Sequence, residues 1–340
     1  MTTINQSNWR NTTIMTVILV IIAFTMVALT NILVDPYSIF HITDLRNGYT
    51  PNDRFNKVEH VITHKTQYDS FIIGSSRMGV FSTAAVEHYR PGHHYYNLSV
   101  FGGDADDALQ MLKVLDSQGI TIREVLMGID VFPFIHVKQM VDPSYRHHPY
   151  VTGESIFSFY SQYVFAPSLY HSLLKLHHNQ KAIPDILVDY NAGGSFELVA
   201  FDRRIKSNHT KFINDKFNKT LPPRRGDITW YEPAFTALQS LIMWMNAKGI
   251  KPHLFIHPHH EQEALRSLSP KSYEEFIHRI FAVTGEIPNM LTTWQSRHEY
   301  FYDSSHYRPL LADIILKELF GNINSSNYTL TTHADRPADS

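Results

Sequence analysis

The first long apolar segment of the chain runs from Ile14 to Val34 and contains no charged residue. Its roughly 20 residues are about the number that a helix needs to cross the hydrocarbon core of a bilayer. The segment is longer than the apolar core of a typical signal peptide, and Ala28-Leu29-Thr30-Asn31 is a poor cleavage site. The pattern predicts an uncleaved transmembrane helix over residues 14–34, preceded by a cytoplasmic stub over residues 1–13.

The charges that flank this segment set its expected orientation. Arg10 precedes it, and Arg46 and Arg54 follow it, which is a thin positive-inside bias. The orientation therefore depends on the short stub, which stays in the cytoplasm while the carboxyl-terminal part is exported. We expect a single-pass protein of the inner membrane with its large domain on the periplasmic side.

Beyond the anchor, the polar stretch 35–67 is predicted as a linker, and apolar runs then alternate with helix-like segments. The predicted strands are 71–73, 95–100, 124–132 and 252–257, and the predicted helices are 82–91, 104–116, 233–248, 272–283 and 307–320. This order is typical of an α/β domain with a parallel sheet, here over residues 68–321. Residues 133–230 break the alternation and are predicted as an insertion that shapes a substrate site, and 322–340 as a disordered tail.

Composition narrows the class of protein. With 340 residues, 43% of them hydrophobic, the chain can bury the core of a large domain. A net charge of -2 leaves no basic surplus to neutralise phosphates, so we exclude nucleic acid as a partner. The absence of cysteine excludes disulfides, a thiol nucleophile and thiolate metal sites.

The sequence Gly74-Ser75-Ser76 follows the first predicted strand directly. Open α/β sheets bind their ligands at the carboxyl ends of the strands, so a serine at this position is a candidate nucleophile. A serine hydroxyl needs a base to take its proton and an acidic group to orient that base. Asp303 and His306, three residues apart before the last helix, can supply both. The alternative is that Asp303 caps the helix and His306 lies on the surface.

A cluster of histidines and two arginine pairs offer further candidate sites. His257-Pro258-His259-His260, with His253 upstream, has no carboxylate at a recognised metal-ligand spacing, so we predict no metal site. Instead, His257 is predicted to lie at a strand end that lines the cleft and to contact substrate. The pairs Arg203–Arg204 and Arg224–Arg225 either face solvent or meet an anionic polysaccharide.

Taken together, Gly74-Ser75-Ser76, Asp303-x-x-His306 and the alternating pattern resemble the SGNH, or GDSL-type, superfamily of esterases and acyltransferases. The resemblance covers roughly residues 68–320. The anchor, the Asp35-Pro36-Tyr37 exit and the Gly-Ser-Ser-Arg strand end are similar to its membrane-tethered members. Those include the D-alanine transfer protein of teichoic acid biosynthesis and the alginate O-acetylation proteins, which work beside membrane-bound O-acyltransferases. The implied fold is a flavodoxin-like three-layer sandwich with a central parallel sheet.

This resemblance implies roles for individual residues. Ser76 matches the nucleophile, His306 the base and Asp303 its orienting partner. Ser75 stands where the family usually has an aspartate and is the alternative nucleophile. Arg77, next to Ser76, is a candidate substrate contact.

The resemblance is incomplete at the oxyanion hole. The backbone N–H of Ser76 is one expected donor, and Gly102 or Gly103 corresponds to the glycine of the family's second block. In the third block Asp130 replaces the usual asparagine, and an ionised carboxylate cannot donate a hydrogen bond. Either Asp130 positions the loop, or the hole is built differently, with Asn97 as a substitute donor.

These features together predict an export-facing O-acyltransferase that modifies a cell-surface polysaccharide, with acetyl as the expected acyl group. Its partners would be the glycan, an acyl donor and a membrane-bound O-acyltransferase, and its mechanism needs no diffusible cofactor. Two alternatives remain open. One is a carbohydrate esterase with the same triad, and the other is a non-catalytic accessory protein that binds glycan or a membrane acyltransferase.

Overall fold

The computed structural model describes residues 6–41, 51–135, 145–179, 187–217 and 228–321. The chain divides into two compact units: Met1–Asn56 with Val141–Pro184, and Lys57–Met140 with Asp185–Ser340. The predicted insertion is therefore shared between the units. Arg46, the Arg224–Arg225 pair and the predicted tail 322–340 lie outside the described residues.

The first unit is built on helix α1 (Gln6–Val34). Among the described residues, α1 is the one helix long and apolar enough to cross a membrane, over Trp9–Val34, and most of its surface is exposed. Helices α7 (Ile156–Val164) and α8 (Leu169–Asn179) pack against it, preceded by the single turn α6 (Pro149–Thr152). The described residues thus contain one apolar amino-terminal helix, as predicted.

Residues predicted as a linker contain a regular helix, α2 (Asp53–Thr63). Its first six residues, Asp53 to Val58, are all buried, and so is Val61. Four of those six are polar or charged, so the sequence did not indicate this burial. Tyr37 and Ile39, which precede the helix, are also buried. The described residues on either side of 42–50 are therefore packed into the protein.

The second unit contains a parallel sheet of four strands in the order β2-β1-β3-β6. The strands are β1 (Ser70–Ile73), β2 (Tyr95–Asn97), β3 (Glu124–Ile129) and β6 (Lys251–Ile256). Ser70 pairs with both Tyr95 and Glu124, and Glu124 pairs with Lys251, so the strands begin level. This confirms the predicted mixed α/β fold with a parallel sheet. Two short strands, β4 (Leu187–Val188) and β5 (Phe196–Glu197), form a separate antiparallel pair.

Helices connect and cover these strands. The longer ones are α4 (Ala105–Ser117), α11 (Glu232–Lys248), α13 (Pro270–Thr284) and α14 (Pro309–Phe320). The shorter ones are α3 (Thr83–Tyr89), α5 (Phe132–Ile135), α9 (Val199–Ser207), α10 (His209–Phe217) and α12 (Glu261–Ser267). Helix α4 packs on α11, and α3 packs on α14. Asp104 and Asp107 form a capping box at the start of α4, which fixes where that helix begins.

Glu124 gathers charged and polar partners at the amino end of the sheet. Its carboxylate accepts hydrogen bonds from Arg90 Nε at 2.9 Å and from Tyr95 OH at 3.0 Å, and His253 Nε2 lies 3.3 Å away. Burial alone would raise the pKa of Glu124, but the hydrogen bonds from Arg90 and Tyr95 lower it to about 2. The ionised form of Glu124 therefore stabilises the folded state.

Glu124→Gln is expected to lower the free energy of unfolding at pH 7 by about 2–3 kcal/mol, since it leaves Arg90 without its charged partner. The wild-type carboxyl group loses the same interactions when it is protonated. Because the folded-state pKa is about 2 and the ordinary value is 4.5, the gap between variant and wild type should shrink as the pH falls through that window. Chemical unfolding at pH 7, 5 and 3 measures this. The exposed Glu318 gives the control, and a pH-independent gap for Glu124→Gln would contradict the account.

Candidate active site

Ser76 lies in the loop that leaves β1 at the carboxyl edge of the sheet. Gly74 has φ of +127°, a conformation that a residue with a side chain rarely adopts, and it turns the chain away from the strand. The loop after β2 comes close, since a Cβ on Gly103 would lie 2.4 Å from the Gly74 carbonyl oxygen. The two glycines thus let the loops meet and hold Ser76 at the sheet edge.

Ser76, His306 and Asp303 form a continuous chain of hydrogen bonds. Ser76 Oγ lies 3.0 Å from His306 Nε2, and His306 Nδ1 lies 3.1 and 3.2 Å from the two carboxylate oxygens of Asp303. An ionised carboxylate accepts only, so Nδ1 carries the ring proton and Nε2 is left to accept from the serine. The structure thus brings Ser76 together with His306, which lies 230 positions later in the sequence, and with Asp303.

The Asp303 carboxylate is held in its ionised form. Its Oδ1 also accepts hydrogen bonds from the backbone N–H groups of Ser305 at 2.8 Å and His306 at 2.7 Å. Burial would raise the pKa of Asp303, but the hydrogen bond from the His306 ring, the charge of that ring and these two N–H groups lower it to about 2. Asp303 can therefore orient His306 and stabilise a positive charge on it at any pH near neutrality.

Ser75 points away from this chain. It is buried, its hydroxyl donates to the Asp130 carboxylate, and its oxygen accepts from the Arg77 N–H at 3.2 Å. A hydroxyl so enclosed has no approach for a substrate. The geometry therefore favours Ser76 over Ser75, the alternative nucleophile.

Arg77 and Asp130 form a buried ion pair beneath the candidate nucleophile. Both side chains are 5% exposed, and one Arg77 amino group contacts Asp130 Oδ1. Arg77 also donates from Nε to the Ser305 carbonyl at 2.5 Å and from its other amino group to Ser305 Oγ at 3.1 Å. The guanidinium thus joins the end of β3 to the turn that carries Asp303 and His306. Arg77 and Asp130 therefore hold this turn and are too buried to face a substrate, and Ser305 is a member of this network that the sequence did not reveal.

Asn97 does not act as a hydrogen-bond donor to the site. Its amide donates to the carbonyl oxygens of Met78 at 2.9 Å and Phe81 at 3.0 Å, in the loop after Ser76. Its side-chain oxygen accepts from the N–H and the hydroxyl of Ser99. Asn97 is fully buried and supports the backbone around the loop, so the substitute-donor interpretation is wrong.

Two backbone groups are left for an oxyanion. The Gly103 N–H donates to the Val100 carbonyl at 2.9 Å, so of the two glycines Gly102 is the better donor. Within the part of the chain that the structure describes, the N–H groups of Ser76 and Gly102 make no hydrogen bond. Asp130 is committed to Arg77 and Ser75 and does not contribute a donor.

His257 was predicted to contact substrate, and its position contradicts this. The side chain is fully buried, with Nδ1 2.9 Å from Tyr307 OH and Nε2 3.9 Å from Asp130 Oδ2. Its ring lies against Gly128, where a Cβ would be 2.2 Å from the ring. Burial, and then the charge of Arg77, lower the pKa of His257 far below its ordinary value, so it is a neutral packing residue under the site.

His260, Glu261 and His298 are a group within the described residues whose ligand atoms lie close enough to hold a metal, all within 4.8 Å of one another. However, His260 Nδ1 accepts a hydrogen bond from the Gln262 N–H, so the ring proton is on Nε2. That proton faces His298 Nδ1, 2.8 Å away. A metal on Nε2 would have to displace it, so the arrangement fits a hydrogen-bonded histidine pair better than a metal centre.

The second half of the predicted insertion lies beside the site. Asp202 of α9 accepts a hydrogen bond from Tyr302 OH at 2.8 Å, next to Asp303 in the chain. The Phe196 ring of β5 occupies the space that a side chain on Gly79 would need, in the loop that follows Ser76. Arg203 and Arg204 are exposed on α9. This segment therefore packs beside Asp303 and beside the loop that follows Ser76.

Comparison with known proteins adds one similarity. Residues 15–164 match the family described as "Protein of unknown function (DUF1574)". The match includes Ser76, Arg77 and Asp130, and it ends before Asp303 and His306. It covers less than half of the chain and carries no activity with it. No curated protein matches the chain significantly.

Proposed function

We propose that the protein is a membrane-anchored, SGNH-like serine O-acyltransferase that moves an acetyl group onto a cell-surface polysaccharide. The observation that carries the proposal is the hydrogen-bonded chain from Ser76 through His306 to Asp303, with Ser76 partly exposed at the sheet edge. This is the arrangement that activates a serine for attack on an ester.

The order of the strands supports a flavodoxin-like sandwich. The connection from β1 to β2 runs in one direction along the sheet, and those from β2 to β3 and from β3 to β6 run in the other. Right-handed crossovers then place α3 on one face and α4 with α11 on the opposite face. The packing of α4 on α11, separate from that of α3 on α14, agrees with this arrangement.

In the mechanism that follows, Ser76 Oγ attacks the acyl carbonyl of a donor ester while its proton passes to His306 Nε2. Asp303 stabilises the imidazolium, and the N–H groups of Ser76 and Gly102 stabilise the oxyanion. The imidazolium returns the proton to the departing alcohol, which leaves an acyl-Ser76 ester. A sugar hydroxyl then attacks this ester and gives its proton to His306. The bond between the acyl carbon and Ser76 Oγ breaks, and His306 returns the proton to Ser76 Oγ as the acylated sugar leaves. With water in place of the sugar the same steps describe an esterase.

A serine-directed fluorophosphonate tests the nucleophile. We expect covalent labelling of purified full-length protein at Ser76, found by mass spectrometry of the modified peptide, and little labelling of His306→Ala. Turnover of a chromogenic acetate should run in parallel, and added glycan acceptors would then separate transfer from hydrolysis. An absence of both labelling and turnover would contradict the proposed enzymatic activity and favour the alternative of a non-catalytic accessory protein.

The proposed location is the cell membrane, with the domain that carries Ser76 exported. The carboxyl-terminal end of α1 supports an uncleaved anchor, since Asn31 is buried and hydrogen-bonded to residues of the folded chain, as expected for a permanent part of it. Alkaline phosphatase fused after Ser340 should be active in cells, because this enzyme requires export. A fusion that is active only with a cytoplasmic reporter would contradict the orientation.

A further inference from the structure

Helices α7 and α8 expose an unusual amount of apolar surface. Six side chains form what we call the outer face: Phe157, Phe165, Leu169, Tyr170, Leu173 and Leu176. Their exposed fractions run from 47% for Leu176 to 84% for Phe157. Soluble proteins rarely leave such a patch in contact with water.

The polarity of α8 is reversed relative to a helix on a water-soluble surface. Leu169, Leu173 and Leu176 recur at the spacing of one helical face and point outwards, while Ser172 and Lys175 on the other face are buried. Lys175 Nζ donates to the Asp35 carbonyl and lies 3.3 Å from Ser38 Oγ. The buried Lys175 ammonium group therefore has protein partners, and the apolar side of α8 faces outwards.

The outer face lies level with the end of the apolar helix α1. The Asn31 amide donates to the carbonyl oxygens of Val164 and Ala166, both at 2.9 Å, and Ser168 Oγ donates to the Asn31 side chain. Phe165 lies between those two carbonyl groups in sequence. Asn31 is only three residues, or about 4.5 Å along the axis, from the last residue of α1. The turn between α7 and α8 is thus fixed at the depth where the candidate span ends.

From this placement we infer that the outer face of α7 and α8 is a second membrane contact, which lies on the lipid bilayer beside the anchor. Its side chains enter the boundary between headgroups and acyl chains, as apolar faces of interfacial helices do. Tyr170 suits that boundary, because its ring is apolar and its hydroxyl can remain hydrated.

The neighbouring surface of α1 indicates that lipid, rather than another protein, covers the outer face. Met26, Leu29 and Leu33 of α1 are more than half exposed in the same compact unit, so the outer face continues an apolar surface that the bilayer already covers. The inference rests on the proposed insertion of α1, but it does not depend on acyl transfer.

The absence of cysteine allows a direct test on the full chain, since single cysteines can be introduced without removing others. Leu173→Cys and Tyr170→Cys carry a spin label on the outer face, Leu19→Cys reports on α1, and Lys113→Cys on an exposed polar position. The protein is reconstituted in phospholipid vesicles, and collision rates with oxygen and with a water-soluble nickel chelate are measured. We expect the two outer-face labels to be reached by oxygen and protected from nickel, as at Leu19, with the reverse at Lys113.

Labels at residues 170 and 173 test the bilayer contact, and the label at Leu19 tests the anchor separately. Nickel access at residues 170 and 173 with protection at Leu19 would overturn the bilayer contact and leave the anchor intact. Nickel access at Leu19 as well would overturn both. Protection of the outer face in native membranes but not in lipid vesicles would also overturn it, in favour of a protein partner. All replaced side chains are exposed, and near-identical circular dichroism of the variants would exclude misfolding as the cause.

Discussion

Replacing Ser76 with alanine is expected to lower kcat/KM for a small acetate ester by a factor on the order of 10⁴ to 10⁶. The variant keeps the backbone N–H groups of position 76 and of Gly102, so the residual rate would come from oxyanion stabilisation and substrate binding. It loses the atom that forms the acyl-enzyme. Steady-state hydrolysis by the purified full-length protein measures the effect, and the serine-directed probe should fail to label the variant.

A second substitution shows whether Ser76 and His306 act as a unit or contribute to the rate independently. His306→Ala should cost about as much as Ser76→Ala, and the double variant should be no slower than either one, because residues that act as a unit are strongly non-additive. Additive losses would contradict the hydrogen-bonded chain as the source of activity. Ser304→Ala is the matched control: this serine lies in the same turn, makes no hydrogen bond to the described residues, and should leave kcat/KM unchanged.

The meeting of Ser76 and His306 was predicted from the resemblance of their motifs, since spacing alone left His306 open as a surface residue. In a parallel sheet all strands deliver their following loops to the same edge, so a serine after the first strand and a histidine after the last can converge. Strand and helix types were predictable for a different reason, since apolar runs and Gly or Pro boundaries mark them locally.

The environment of Asp130 was not predictable in this way. Whether a carboxylate after β3 faces an oxyanion or a guanidinium depends on the direction of the Arg77 side chain, and no spacing encodes that direction. Asn97 and His257 show the same limit, because each lies at a strand end yet turns inwards to support backbone or packing. In α8 the burial of Lys175 reverses the ordinary expectation that a lysine on a helix faces water.

Asp130→Ala is expected to have the largest effect on stability, about 3–5 kcal/mol, because it leaves the buried Arg77 charge without its partner. For a domain of this size that loss corresponds to a fall in Tm of roughly 10 °C. Thermal unfolding of the full-length protein in detergent measures it. Replacing both partners, as in Arg77→Met with Asp130→Leu, removes the stranded charge and should recover much of the stability.

The same pair of variants decides whether this ion pair positions the catalytic turn. The double variant should be folded, yet it lacks the hydrogen bonds from Arg77 to the Ser305 carbonyl and hydroxyl. His306 would then be held less well against Ser76, so kcat should fall while KM changes little, and labelling by the serine-directed probe should slow in proportion. A double variant that is stable and fully active would show that Arg77 and Asp130 serve the fold alone. A stable variant with slow labelling is what the contacts with Ser305 predict, because they are the direct link between the buried pair and the turn that carries Asp303 and His306.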